Sequence, residues 1–182
     1  DYDEANHTLT IEWDRRKVAS GDLRTNQGKL AIEAFFRRFM PAELNGPPKV
    51  LAGTGPSGNT HSFSDVARKV VSIINLASVA AVETAAGAAV DPLRFRGNLY
   101  VSGWSAWREF DLLDSEITVG NARLKVVKRI LRCAATNVDP ATGIRDLEIP
   151  KTLLNTFGHA DCGIYAEVLT RGEIAPGDTI HV

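Results

Sequence analysis

Cys133 is the residue in this sequence best suited to act as a nucleophile or a soft metal ligand. It follows Arg132, with Lys128 and Arg129 a few residues upstream at the end of an apolar run. Nearby cations favour the thiolate, the form that attacks or binds metal. A packed structural cysteine would fit the same residues. Arg94-Phe95-Arg96-Gly97-Asn98 forms a second cluster. Two guanidiniums and an amide beside a glycine suit an oxyanion such as phosphate, because Arg forks onto it bidentately. A surface turn held by salt bridges would use the same types. Ser78, near a candidate helix start, offers a hydroxyl and backbone N–H donors to that anion, or serves only as the helix cap.

Other candidates carry less. Gly53-Thr54-Gly55-Pro56-Ser57-Gly58 spells G-x-G-x-x-G, but Pro56 sits inside it and no helical pattern follows to hold a pyrophosphate. It reads as a loop. His159-Ala160-Asp161-Cys162 offers nitrogen, oxygen and sulfur ligands, yet His7, His61 and His181 show no ligand spacing, so a loop ahead of a strand is the expectation. Cys162, next to Gly163-Ile164-Tyr165, reads as a packed thiol. Neither a G-x-S-x-G elbow nor a paired-carboxylate arrangement can be argued.

The elements that must position these residues follow from periodicity. Leu9, Ile11 and Trp13 alternate with polar residues, and Asp14-Arg15-Arg16 turns the chain back through Lys17–Ala19, a hairpin. A helix is expected over about Asn26–Met40, capped by Thr25 or Asn26 and stopped by Pro41. Its Lys29, Glu33 and Arg37 form a solvated stripe, with Ala31, Phe35 and Phe39 on another face. Lys49–Ala52 is a candidate short strand. Val70–Val90 has the length of a membrane span, but a central Glu83 would cost about 2 to 3 kcal/mol there. It reads as a buried strand, Val70–Asn75, and a helix beginning near Ser78. Strands are expected at Asn98–Ser102, Glu116–Val119, Ala122–Leu131, Gly163–Leu169 and Asp178–Val182, and a short helix at Lys151–Phe157. Adjacent Val126-Val127 breaks the alternation of the longest strand, so a bulge there would re-aim Arg132 and Cys133. Many short strands with about three helices give a β-rich α+β barrel.

Composition narrows the function classes. The chain has 182 residues, enough for one domain with an appendage and a full core without staples. It is 44% hydrophobic and 24% charged, with 21 Lys and Arg against 22 Asp and Glu. A binder of nucleic acid working by counterion release needs a basic excess, and none exists. No membrane partner is expected. Two cysteines and no signal-like segment point to a reducing compartment, read as cytoplasmic. The sequence starts at Asp1, so a processed or trimmed N-terminus is an open expectation.

Taken in order, Ser72-Ile73-Ile74-Asn75-Leu76-Ala77-Ser78-Val79, Arg94-Phe95-Arg96-Gly97-Asn98-Leu99 and Arg132-Cys133-Ala134-Ala135-Thr136-Asn137-Val138-Asp139-Pro140-Ala141-Thr142-Gly143 resemble the MOSC domain family, the molybdenum-cofactor sulfurase C-terminal domain. The tail from Gly158-His159 through Gly163-Ile164-Tyr165 to Gly177-Asp178 is similar to the family's closing strands. The resemblance covers about residues 60–182. The R-C-x-x-T-x-V-D-P-x-T-G run is its most specific part. Upstream, Leu9-Thr10-Ile11 and the helix around Phe35 look like the latter part of the β-barrel domain that often precedes it. The implied organisation is therefore 1–58 for that domain and 59–182 for a MOSC-type β-barrel with peripheral helices.

The resemblance implies a molybdenum cofactor (Mo-molybdopterin), with Cys133 as the molybdenum ligand. Arg96, Asn98 and Ser78 would hold the pterin phosphate, and Arg132 would line the same pocket. It further implies reduction of an N-hydroxylated small-molecule substrate, with electrons from a separate redox donor protein or domain. Two departures stand out. Gly97 occupies a position where proline is usual, and no segment matches the opening barrel part that supplies a Lys-Ser pair to the phosphate, as in a fragment or a reduced version of the family. Two other readings compete: a carrier of cofactor or sulfur using Cys133 as a persulfide site, and a cofactor-free structural barrel.

Overall fold

The computed structural model describes residues 1–51, 53 and 68–182. The chain divides into two compact units, Asp1–Phe63 and Ser64–Val182. The G-x-G-x-x-G run and His61 lie outside the described residues, apart from Gly53.

In the first unit, β1 (Tyr2–Asp3), β2 (Thr8–Trp13) and β3 (Arg16–Asp22) form an antiparallel sheet in that order, and α1 (Asn26–Phe39) packs on β3. The expected hairpin is present and the cap is Thr25, whose Oγ1 accepts the Gly28 N–H at 3.0 Å. The expected faces of α1 are rotated. Ile32 is the buried apolar side chain, while Ala31 and Phe39 are exposed. Glu33 leaves the solvated stripe because its Oε1 accepts the Val50 N–H at 2.8 Å. That bond fixes Lys49–Leu51 as irregular chain rather than the expected strand.

The second unit is one six-stranded sheet. β4 (Val70–Asn75), β5 (Leu99–Val101), β6 (Glu116–Val119), β7 (Ala122–Leu131), β8 (Asp161–Thr170) and β9 (Ile180–His181) lie in the order β5-β4-β8-β7-β6-β9. Among the described residues only β4 and β5 pair in parallel. The two edge strands line one common cavity of about 450 Å³ through Tyr100, Val101 and Ile180, so the sheet curls towards closure. This is the expected β-rich α+β barrel-like architecture. The segment read as a false membrane span is β4 followed by α2 (Leu76–Ala86). Asn75, not a residue near Ser78, caps that helix by accepting the Ala77 N–H at 3.1 Å. Helix α3 (Ile149–Phe157) starts two residues before the expected position, because Asn137 Oδ1 accepts the Ile149 N–H at 2.8 Å.

Buried clusters lie on both faces of the sheet, which is why β4 reads as a nearly continuous apolar run, whereas β7 keeps Arg123, Lys125, Lys128 and Arg129 between its apolar residues. Ile73, Leu124, Val126, Ile164 and Ala166 face the interior of the curl, and Ile74, Ile130 and Cys162 face α2 and α3. Period two would keep all even positions of β7 on one face. Val126 and Ile130 instead belong to opposite faces, because the register with β8 slips between Val126 and Lys128. The expected bulge is there. The last of the three slips between these strands, between Arg129 and Leu131, falls opposite Gly163 of β8, whose φ is +82°. It reverses β8 in the same way, sending Cys162 and Ile164 to opposite faces.

Candidate functional site

The last two of these slips turn the end of β7 towards a cavity of about 310 Å³. Lys128, Arg132 and Cys133 line it from β7 and just beyond, Arg94 and Arg96 from the Pro92–Phe95 3-10 turn, and Tyr165 from β8. Four cationic side chains and no carboxylate contribute to the lining, in a chain whose charges nearly cancel. Arg94 is paired with Asp146, so the local excess of positive charge comes from Arg96, Lys128 and Arg132.

Cys133 is exposed there and makes no disulfide. Its loop is fixed by the residues of the R-C-x-x-T-x-V-D-P-x-T-G run. Thr136 Oγ1 donates to the Cys133 carbonyl at 2.9 Å, and Asp139 Oδ1 accepts the N–H groups of Ala141 at 2.7 Å and Thr142 at 3.0 Å. Cys162 is buried as expected, and burial pushes its thiol up to about 12. Of the two sulfurs, only Cys133 is open to chemistry from the cavity.

Arg132 is the most constrained cation. Its Nε donates to the Cys162 carbonyl at 2.7 Å, Nη2 donates to the same oxygen, and Nη1 donates to the Phe95 carbonyl at 2.9 Å. The guanidinium lies over the Phe95 ring, 5.2 Å from its centroid. These carbonyls satisfy donors without cancelling charge. Burial lowers its proton affinity below that of a free Arg, although a guanidinium stays charged at neutral pH. Among the described residues no carboxylate pairs with Arg96, Lys128 or Arg132.

Arg94 corrects the expectation of two guanidiniums on one anion. Its side chain is 2% exposed and forks onto Asp146 through Nη1 and Nη2, both at 2.8 Å, with Nη1 also on the Asn137 carbonyl at 3.1 Å. It ties the segment after Cys133 to the 3-10 turn. Arg96 remains. It stands at φ +49°, a left-handed conformation uncommon outside glycine, and its exposed side chain lines the cavity.

Ser78 and Asn98 are not at the cavity. Ser78 is fully buried in the first turn of α2, where its hydroxyl donates to Glu109 Oε1 at 2.7 Å and accepts the Trp107 N–H at 2.8 Å. Asn75 Nδ2 donates to the same carboxylate at 2.8 Å. Asn98 is one step removed, since its Oδ1 accepts the N–H and hydroxyl of Ser72, both at 2.9 Å, and Ser72 is the lining residue. His159 packs among Trp107, Phe110 and Phe157, with ring centroids 5.2, 5.3 and 6.2 Å away. Sequence reasoning missed Ser72 and Tyr165 as lining residues. The register is the signal that joins them to Lys128: β8 lies between β4 and β7, and Tyr165 stands opposite both Ser72 and Lys128.

A family model, the MOSC domain, matches residues 58–181, a range that contains every lining residue of the cavity. Mitochondrial amidoxime reducing component 2 of Bos taurus is 32% identical over 123 residues, covering 61% of this chain and 36% of the relative. Mitochondrial amidoxime-reducing component 1 of Homo sapiens is 33% identical over 122 residues, covering 60% of this chain and 36% of the relative. The match thus takes in about a third of the length of these relatives. The crystal structure of YiiM from Geobacillus stearothermophilus superposes with a TM-score of 0.47 at 21% identity, over 60% of this chain and 52% of that one. The chain belongs to the MOSC domain family.

Proposed function

We propose that this chain carries the molybdenum-cofactor site of a reductase of N-hydroxylated compounds, supplied with electrons by a separate redox protein or domain. The carrying observation is the cavity itself, in which one open thiol stands beside Arg96, Lys128 and Arg132, three cations that no carboxylate pairs among the described residues. A thiolate is a ligand for soft, redox-active metals, and guanidiniums complement phosphate, so this donor set fits a phosphorylated, sulfur-liganded metal cofactor. The MOSC domain family is associated with the molybdenum cofactor, and the two relatives above are named for amidoxime reduction.

In this reading Cys133 Sγ holds the metal, and Arg96 and Arg132 hold the phosphate. The bound cofactor supplies a metal centre able to take up and release electrons. The chain's own contribution is placement and charge. Arg132 is clamped by two carbonyls and a ring, so its charge is preorganised rather than recruited from solvent. Lys128 adds an exposed cation to the lining. Phe95, Ile130 and Tyr165 give the cavity an apolar and aromatic wall that limits water. Ser78 is left out of the phosphate contacts, and Asn98 acts through Ser72. Among the described residues no helix is long and apolar enough to cross a membrane.

The test is molybdenum and pterin analysis of the protein, parent and Cys133→Ser, made in a host that synthesises the cofactor. Near-stoichiometric molybdenum in the parent and its loss in the variant are expected. Molybdenum retained without Cys133 would overturn the ligand assignment. A single added sulfur on Cys133 with no metal would replace the reductase by the sulfur-carrier reading.

A further inference from the structure

The backbone that brings Arg96 to the cavity is pinned amide by amide. The Arg96 N–H donates to the Leu93 carbonyl at 3.0 Å, and the Asn98 N–H donates to the Ser72 carbonyl at 3.0 Å. Between them, the Gly97 N–H donates to the phenolic oxygen of Tyr100 at 2.9 Å. The Asn98 N–H is shared with the Ser72 hydroxyl, also at 3.0 Å, so the Gly97 bond is the one of the three that a side chain accepts alone. A Cβ on Gly97 would stand 2.4 Å from Ile74 Cγ1 and 3.3 Å from Tyr100 Cζ, so the glycine is enclosed between those two side chains. Arg96 itself stands left-handed, a conformation that an arginine adopts only when its surroundings impose it. Its guanidinium makes no hydrogen bond or ion pair among the described residues, and the side chain is exposed at the cavity. Among the described residues nothing else on that side chain fixes where its charge sits. Tyr100 lies on β5 and does not line this cavity.

We propose that Tyr100 is a positioning residue for the anion-binding arm of the site: by accepting the Gly97 N–H, its hydroxyl holds the left-handed turn that presents Arg96. The inference rests on the anion-binding reading of Arg96 given above. It makes the hydroxyl, rather than the ring, the part that matters. Tyr100→Phe keeps the ring against Gly97 and removes only the acceptor.

The test is a titration with inorganic phosphate, followed by NMR in the full chain, on the parent, Tyr100→Phe, Arg96→Ala and the double variant. Tyr100→Phe is expected to weaken phosphate binding about 3- to 10-fold, the factor one net hydrogen bond controls. In the Arg96→Ala background it is expected to weaken binding no further, because a residue acting through Arg96 has nothing left to act on. The same fold-loss in both backgrounds, or no loss in either, would overturn the proposal. The amide-to-α-proton coupling of Arg96 reports its backbone directly. It should change in Tyr100→Phe, and an unchanged value overturns the role of Tyr100 whatever the titration shows. Absence of phosphate binding in the parent would overturn the anion cradle instead, leaving that coupling to decide on Tyr100. If Tyr100→Phe does not fold, exchange of the Gly97 amide in the parent decides: slow exchange supports the bond, and exchange as fast as an open loop overturns it.

Discussion

Gly163→Ala is the substitution that most directly interrogates how the sheet builds the cavity. Gly163 stands at φ +82° in β8, the strand seated between β4 and β7. A methyl group there would lie 2.6 Å from the Ile73 carbonyl oxygen, 2.7 Å from Ile74 Cδ1 and 3.1 Å from Arg132 Nη2. The left-handed backbone alone costs an L-residue roughly 1 to 2 kcal/mol. The approach to the Ile73 carbonyl cannot be relieved by a rotamer change, because that atom belongs to the neighbouring strand, and such overpacking adds about 1 to 3 kcal/mol. The expected destabilisation is roughly 2 to 5 kcal/mol. At this chain length each kcal/mol moves Tm by about 2 to 4 °C, so a fall of roughly 4 to 20 °C follows. Gly87→Ala is the control, at φ +66° with nothing within 4 Å of the added methyl. It should show the backbone cost alone, roughly 1 to 2 kcal/mol. Calorimetry on the parent and both variants separates the two causes. Equal losses would refute the crowding of Gly163 by β4, and a parental Tm for Gly163→Ala would refute the whole account.

Three further outcomes are expected. Iodoacetamide at neutral pH should label Cys133 in the native protein and spare Cys162, whose thiol is buried and held near 12, until denaturant exposes it; native labelling of Cys162 by peptide mass would contradict its burial. Arg94→Met should flatten the acid limb of stability. The hydrogen bond from Arg94 holds Asp146 below the usual carboxylate range, so that contribution is present above about pH 4 and is lost as pH falls through the lowered folded value; an acid limb identical to the parent's in urea titrations would refute the link. Glu109→Ala should cost about 2 to 4 kcal/mol by urea unfolding, because it strips buried Asn75 and Ser78 of their shared acceptor, and a loss below about 0.5 kcal/mol would show that the pair finds other partners.

Local pattern carried much of the architecture. The bounds of β6 and β7, the bulge at Val126-Val127 and the split of Val70–Val90 into strand and helix are all written in period and composition. What local pattern cannot carry is which polar groups consume one another across the fold. Arg94 and Arg96 look alike in sequence, but Asp146 takes one and leaves the other free. Ser78 looks available until Glu109, from the Arg108–Leu112 3-10 turn, is found buried against it. Asn98 is diverted by Ser72 in the same manner. Each of these choices is made by a contact between residues far apart in the chain, so no window of sequence contains it. The faces of α1 fail for a related reason, since the side that β3 covers decides which residues are buried.

The placement of β8 has a consequence for how the molecule comes into being. It is the next-to-last strand in sequence yet sits near the middle of the sheet, joining β4 on one side and β7 on the other. A ribosome-bound chain that has not yet released residues 161–170 holds two half-sheets with bare edges and no way to zip them together. Loop closure between Val70 and Glu167 must then be met in one late step, which makes assembly slow and leaves unpaired strands open to neighbours in the meantime. The site is complete only when that strand arrives, because β8 brings Tyr165 to the cavity and the Cys162 carbonyl that clamps Arg132. A nonsense mutation anywhere before Asp161 would therefore yield not a weakened protein but one without a site, and with two adhesive edges.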